Sequence, residues 1–363
     1  MRLFQNAGLP PSYLSRLSEL AKTQTTFSGR LATFLDDRFG ACHLLKPVLE
    51  GDAAAFFTNA DDQMLQRFWA SEHRLRTAAS AEEILLSQIE EHETEVFYNL
   101  DPMRYGSDFI RKLPGCVRTT IAWRAAPSPG ADFGAYDAVV CNFPGILSEY
   151  QRRGWRGEYF SPAHDPAMDA YAANADRQID VLFIGSYSRH HLKRAKVLDG
   201  VASLRNRFHV VFCLDRSRLT RLVESPFFGF LPVSSGRRSP DTVAVTEGPV
   251  FGRELYAKIA SARIVLNSAV DMAGSDRGNM RCFEATGCGA LMVSDSGNYP
   301  PGFADMETMM VFGTDDRATA VIEDALQNCE RSSQIAVRAH RMVASQYNKD
   351  RQWNDFKNLV DRL

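Results

Sequence analysis

The sequence of 363 residues contains no stretch approaching the roughly 18 apolar residues of a bilayer-spanning helix. Its first residues, MRLFQNAGLPPSYL, hold no apolar run ahead of a small-residue cleavage site, so no secretory leader is expected. Among the seven cysteines (42, 116, 141, 213, 282, 288 and 329) no two form a C-x-x-C pair, and no histidine stands at zinc-ligand spacing from any of them. A disulfide framework and a structural zinc site are therefore not expected, and a reducing cytoplasm is the expected compartment. An excess of one charge is missing too. Lys+Arg 42 against Asp+Glu 44 leaves a net charge of −2, which argues against nucleic acid as the main partner. There is no solenoid-length repeat and no low-complexity tract. No G-x-G-x-x-G follows a strand-like run, which disfavours a nicotinamide dehydrogenase.

What is present is an ordinary globular mixture, 45% hydrophobic and 24% charged, at a length that suits about two domains. Short apolar runs alternate with amphipathic stretches. In the first half, strands are expected at Arg2–Gln5, Ala53–Phe57, Glu95–Asn99, Val117–Trp123, Asp137–Cys141 and Gly157–Phe160. Helices are expected at Asp61–Ala78 and Ala81–Glu91, the second opened by Ser80 with Glu83 three residues on. The polar stretch Ser161–Gln178 reads as a linker. Strands then resume at Asp180–Gly185, Phe208–Leu214, Thr242–Val245, Arg263–Asn267, Ala290–Ser294 and Thr308–Phe312.

This alternation implies an α/β protein with parallel sheets and right-handed crossovers. The expected organisation is two Rossmann-like domains facing across a cleft, at residues 1–162 and 180–363, joined by 163–179. Ligands are expected beyond the carboxyl ends of the strands. The last segment, Ser332–Leu363, reads as helical, with Trp353 and Phe356 on one face. It is expected to pack onto the second domain, with a crossing of the last helix back to the first domain as the alternative.

The richest stretch runs from Asn267 to Ser294, NSAVDMAGSDRGNMRCFEATGCGALMVS. It reads as strand, polar Gly-rich loop, short helix, Gly, strand. Arg281 falls in the first turn of the helix and Glu284 one turn later on the same face. A helix N-terminus suits a phosphate, an arginine can chelate its oxygens, and a carboxylate can accept from a ribose diol. Asn267 closes the strand before the loop and is a further candidate contact.

The run Asp276-x7-Glu284-Ala285-x-x-x-Gly289 resembles the E-x7-E element of retaining GT-B glycosyltransferases of the group 1 type. The version RCFEATGCG resembles still more closely the spore-maturation CgeB-like branch. The stretches VLFIGS (181–186), EYFSPAHDP (158–166) and YNKDR (347–351) are also similar to that branch. The resemblance implies a donor-binding second domain in which Glu284 holds the nucleotide ribose. Asp276, one methylene shorter than the family's glutamate, would contact the donor sugar or its phosphate. Basic residues would hold the diphosphate: Arg189 and Lys193 after the Gly185–Ser186 loop, together with Arg281.

The first domain would then supply the acceptor side. Asn6 with Gly8, Asn99 with Asp101, Trp123 with Arg124, and Asn142 stand at its strand ends. Gly8 would let the backbone approach the donor. Asp101 is the leading general-base candidate for an inverting transfer, with His164 as a second; a retaining transfer would need neither. The expected activity is metal-independent transfer of a sugar from a nucleotide-sugar donor to a glycan, lipid-linked or protein acceptor, with no other cofactor. A sugar-nucleotide epimerase and a non-catalytic nucleotide-sugar-binding component of a polysaccharide biosynthesis complex are the alternatives. The stretch from Arg216 to Arg238 mixes arginines with Phe227, Phe228 and Phe230. It reads either as a helix and loop packed on the core or as a peripheral contact with an anionic membrane surface at the inner face of the plasma membrane.

Overall fold

A computed structural model describes residues 1–187, 192–215, 238–268 and 274–363. The chain divides into two compact units, one of Met1–Ala163 with Lys349–Leu363 and one of His164–Asn348. Among the described residues no helix is long and apolar enough to cross a membrane.

The first unit is built on six strands: β1 (Leu3–Asn6), β2 (Ala55–Thr58), β3 (Val96–Asn99), β4 (Thr119–Trp123), β5 (Ala138–Cys141) and β6 (Gly157–Tyr159). They lie in the order β2-β1-β3-β4-β5-β6, and every pair is parallel. The residues of β1, β3 and β5 are all buried, as expected for parallel strands covered on both faces, and the polar ones, Gln5, Asn6 and Asn99, stand at or next to the carboxyl ends of β1 and β3. The helices between them are α1 (Pro11–Leu20), α2 (Phe27–Asp37), α3 (Lys46–Glu50), α4 (Gln63–Glu72), α5 (Ala81–Glu91), α6 (Ser107–Ile110) and α7 (Pro144–Arg152). Helix α5 opens with a capping box: the Glu83 N–H donates to Ser80 Oγ (3.2 Å) and the Ser80 N–H donates to Glu83 Oε2 (2.7 Å).

The second unit contains β7 (Ile179–Ser186), β8 (Val210–Asp215), β9 (Thr246–Glu247), β10 (Ala262–Asn267), β11 (Leu291–Asp295) and β12 (Met310–Phe312). Their order is β12-β11-β10-β7-β8-β9, again with parallel pairs. Its helices are α8 (Met168–Ala172), α9 (Leu192–Ala202), α10 (Pro240–Ala244), α11 (Gly252–Ala260), α12 (Met280–Gly287), α13 (Ala318–Gln327) and α14 (Cys329–Gln346). One core is shared by Val181, Phe212, Leu266, Val293 and Phe312 from the strands and Ile322 from α13. Two all-parallel sheets with helical crossovers make up the GT-B fold.

Two expectations need correction. Thr242–Val245 is not a strand. It lies largely in α10, because Ser239 Oγ accepts the Thr242 N–H (3.1 Å) and Pro240 occupies the first turn. The β-branched run suggested a strand, but the cap decides the conformation. The last helix, α15 (Lys349–Val360), belongs to the first unit. Phe356 is fully buried there against Tyr98 (ring centroids 5.0 Å) and Phe160 (5.8 Å), with Trp353 stacked on it. Lys349 fixes the start of the helix. Its Nζ donates to the carbonyls of Ala41 (2.7 Å), Cys42 (3.2 Å) and Leu44 (2.7 Å) and to Gln352 Oε1 (3.0 Å).

Each sheet changes winding direction once, between β1 and β3 and between β7 and β10. The carboxyl ends at these switch points are where open parallel sheets hold ligands.

Candidate functional site

In the second unit, β10 ends at Asn267, in register with Ser294 of β11. The buried Asn267 amide accepts from Asn279 Nδ2 (3.0 Å) and donates to Ser294 Oγ (3.2 Å). Tyr299 Oη lies 2.7 Å from the same Ser294 oxygen and 2.6 Å from the Asp295 carbonyl. Asn279 is the N-cap of α12, yet its side chain accepts no bond from the helix N–H groups. With that amide turned to Asn267, the first turn of α12 receives no cap from its own N-cap side chain.

The loop before α12 is pinned by the loop after β11. Asp276 bridges to Asn298, the Arg277 N–H donates to the Asn298 carbonyl (2.8 Å), and the Asn298 N–H donates to the Ser275 carbonyl (2.8 Å). Arg277 also grips Asp295 Oδ2 through Nε (2.8 Å) and Nη2 (2.7 Å). Gly297 permits this approach, since a Cβ there would stand 2.5 Å from the Ser275 carbonyl oxygen. Asp276 is buried in this arrangement, three residues ahead of the N-cap.

Arg281 and Glu284 do share one face of α12, and they meet each other. Arg281 Nη1 donates to Glu284 Oε2 at 2.7 Å, with the side chains 15% and 6% exposed. Arg281 Nε is buried without a hydrogen-bond partner. Glu284 Oε1 accepts no hydrogen bond among the described residues. The pair is therefore half used, with a donor and an acceptor both to spare.

At the β7 end the inward basic residue is Arg194, one position from the expected Lys193, which is exposed on α9. Arg194 is buried and donates to the carbonyls of Ser268 and Ser186 (3.4 Å to the latter), tying the ends of β10 and β7 together across the switch point. Gly185 and Ser186 form the end of β7. Arg189 lies outside the described residues, as does almost all of the basic and aromatic stretch ending at Arg238.

In the first unit, Asn6 and Asn99 are register partners at the ends of β1 and β3. Asn6 Nδ2 donates to Asn99 Oδ1 (2.9 Å), which also takes the Asp101 N–H (2.9 Å), while Asn99 Nδ2 donates to Tyr136 Oη (2.7 Å). Gly8 sits directly against Asp101: a Cβ at Gly8 would lie 2.8 Å from Asp101 Oδ2. Arg104 Nε reaches that oxygen at 3.2 Å. Burial raises the Asp101 carboxyl above its usual range, against the charges of Arg104 and Arg124. Trp123 packs on His43 (4.5 Å), Arg124 Nε donates to Ser128 Oγ (2.8 Å), and Asn142 is buried.

The second base candidate, His164, is packed against α12. It is 3% exposed, its Nε2 meets Asp169 Oδ1 (2.9 Å), and it lies against Gly287 at the C-terminal end of α12. That is about 12 Å along the helix from the uncapped end. Burial lowers its pKa, against the Asp169 carboxylate that would raise it.

Sequence reasoning passed over Asn279, Arg194, Tyr299, Asp61 and Arg104. Asn279 carried a usable signal, because an Asn just ahead of a helix is a cap candidate. The others need three-dimensional neighbours to be seen.

The family described as "Glycosyl transferase-like" matches residues 219–358, a span that contains α12. No curated protein matches the chain. Among solved structures, it aligns over 99% of its length with 99% of Anabaena Alr3699/HepE in complex with UDP-glucose, at 12% identity and a TM-score of 0.57. It aligns over 99% with 97% of a glycosyltransferase from Rickettsia africae (7% identity, TM-score 0.59). It aligns over 77% with 76% of sucrose-phosphate synthase from Thermosynechococcus elongatus (13% identity, TM-score 0.51). At these identities the likeness establishes the fold.

Proposed function

We propose that the chain is a glycosyltransferase that moves a hexose from a nucleotide-sugar donor to a hydroxyl of a glycan, lipid-linked or protein acceptor, without a metal ion. One observation carries this reading. Inside the span matched by the glycosyl transferase-like family, α12 presents an uncapped N-terminus beside a guanidinium and a half-used carboxylate.

In this reading Glu284 accepts from the ribose hydroxyls through its spare oxygen. Arg281 and the first-turn N–H groups take the diphosphate, with Lys193 and Arg189 as further cations and Gly185, Ser186 and Asn267 bordering the site. Fixed positive groups of this kind stabilise a departing nucleotide diphosphate as a metal would. Asp276, held in its loop, is the acid on the sugar side. Asp101 beside Gly8 takes the acceptor proton if the transfer inverts; its raised carboxyl is a better base near neutral pH than an ordinary aspartate. The run from Arg281 to Gly289 supports the CgeB-like branch as the finer placement, and the absence of paired cysteine spacings supports a reducing cytoplasm as the compartment.

The test is calorimetry with UDP, GDP, ADP and TDP, with and without EDTA, followed by assays of UDP-glucose and UDP-N-acetylglucosamine turnover with and without an acceptor panel. Binding of one nucleotide unaffected by EDTA, with acceptor-dependent turnover, is expected. Binding of none overturns the reading. Conversion of UDP-N-acetylglucosamine without acceptor gives the epimerase instead, and binding without any turnover gives a binding component.

A further inference from the structure

The first unit holds a second carboxyl next to Asp101. Asp61 follows β2 by three residues, and its side chain is 5% exposed. Its Oδ2 accepts the Leu9 N–H at 2.8 Å and lies 3.9 Å from Arg104 Nη2. Its Oδ1 is buried with no hydrogen-bond partner among the described residues. The same Arg104 reaches Asp101 Oδ2 through Nε at 3.2 Å. The loop after β1 is thus held from two sides, Asp61 on the Leu9 amide and Asp101 against the Gly8 Cα. Arg104 faces both carboxylates from a half-exposed position, and Arg124 faces Asp101 as well, so the two acids share one counter-charge.

We propose that Asp61 is a positioning residue for the base. It clamps the Gly8–Leu9 backbone against Asp101 and competes with Asp101 for Arg104, so that its charge decides when Asp101 can accept a proton. This rests on the reading of Asp101 as the base. It adds a residue and a coupling that the reading alone does not contain.

The electrostatics at Asp61 agree with the geometry. Burial raises the Asp61 carboxyl, the Leu9 N–H and Arg104 oppose the rise, and the Asp101 charge adds to it. Asp101 is faced by Arg104 from its own loop, Arg124 from the end of β4, and the phenols of Tyr105 and Tyr136, both pushed up by burial. Two carboxyls that share a counter-charge titrate as a pair, and removing one charge changes the other's midpoint.

The test uses the intact protein labelled with carbon-13 at aspartate carboxyls, with Asp101 assigned by Asp101→Asn. In Asp61→Asn the Asp101 midpoint moves about one pH unit lower. In Arg104→Gln, at a half-exposed position tolerant of change, both midpoints move higher. Amide exchange at Leu9 stays slow in Asp61→Asn, whose side-chain oxygen still accepts, and quickens in Asp61→Ala. An Asp101 midpoint unmoved by Asp61→Asn, or both midpoints unmoved by Arg104→Gln, overturns the proposal. No nucleotide or acceptor enters these measurements. Their failure leaves the donor site standing, and a failure of nucleotide binding leaves the coupling standing.

Discussion

Replacing Glu284 by Gln separates a ligand contact from a structural one. The side chain keeps its length, and the Gln oxygen can still accept from Arg281 Nη1, now 2.7 Å from the carboxylate. What is lost is the negative charge. Hydrogen bonds to a charged group contribute about 1.5–3 kcal/mol, against about 1 kcal/mol for a neutral one. A ribose hydroxyl bound to the spare oxygen would therefore lose about 1 kcal/mol, or roughly five- to tenfold in Kd. The pair with Arg281, nearly closed off from solvent, weakens by about 1 kcal/mol, which lowers the melting midpoint by about 3 °C. Calorimetry with UDP and a thermal melt on the same samples read both effects. A variant that melts lower but binds UDP as wild type does would refute the reasoning. Glu284 would then be only the anchor of Arg281, and the ribose contact would have to be sought elsewhere.

Changing Gly297 to Ala places a Cβ against backbone, 2.5 Å from the Ser275 carbonyl, so the loop feeding α12 must move; UDP affinity should fall about tenfold while stability drops by about 1–3 kcal/mol in urea melts. Lys349→Met strips four acceptors of a buried ammonium and should cost about 3 kcal/mol, read as a lower urea midpoint. His43 is half-buried next to Lys349, and its pKa is lowered to about 3, desolvation of the ring being the main cause and the Lys349 charge the second. The folded state keeps this ring neutral while the unfolded chain protonates near pH 6.5. Its contribution to stability is therefore full above pH 6.5 and is lost as pH falls toward about 3, at about 1.4 kcal/mol per pH unit for the one proton. His43→Phe should flatten that decline by one proton; an unchanged slope between wild type and variant would show that the ring is already protonated in the fold.

The alternation of strands and helices was readable because buried parallel strands are short, apolar and bounded by turns; β7 and β10 announce themselves that way. The Ser80 box was readable because a cap is local chemistry. Thr242–Val245 misled because propensity was weighed above the Ser239–Pro240 start signal that precedes it. Phe356 shows a different limit. Its spacing from Trp353 marks a buried face, but nothing in the periodicity says whether Tyr98 or a residue of the other unit lies beneath it. The α12 pair was legible from an i, i+3 spacing, whereas the choice of Arg194 over Lys193 depends on the rotation of α9. Asp61 was invisible for a related reason. Beside Asp62, the true N-cap of α4, it looks like one more acidic residue at a helix start, and only the return of β1 beside β2 brings Leu9 to it.

The placement of α15 sets an order of events during synthesis. The ribosome releases all six strands of the first sheet early, yet Tyr98 and Phe160 lack the ring of Phe356 against them until the last helix emerges. The intervening unit, whose two ends are joined by the His164 N–H to the Tyr347 carbonyl (2.7 Å), can complete its own hydrogen bonding while still tethered. The polypeptide that is translated first thus matures last, and a nascent chain stalled before Lys349 would expose a greasy seam to chaperones and proteases.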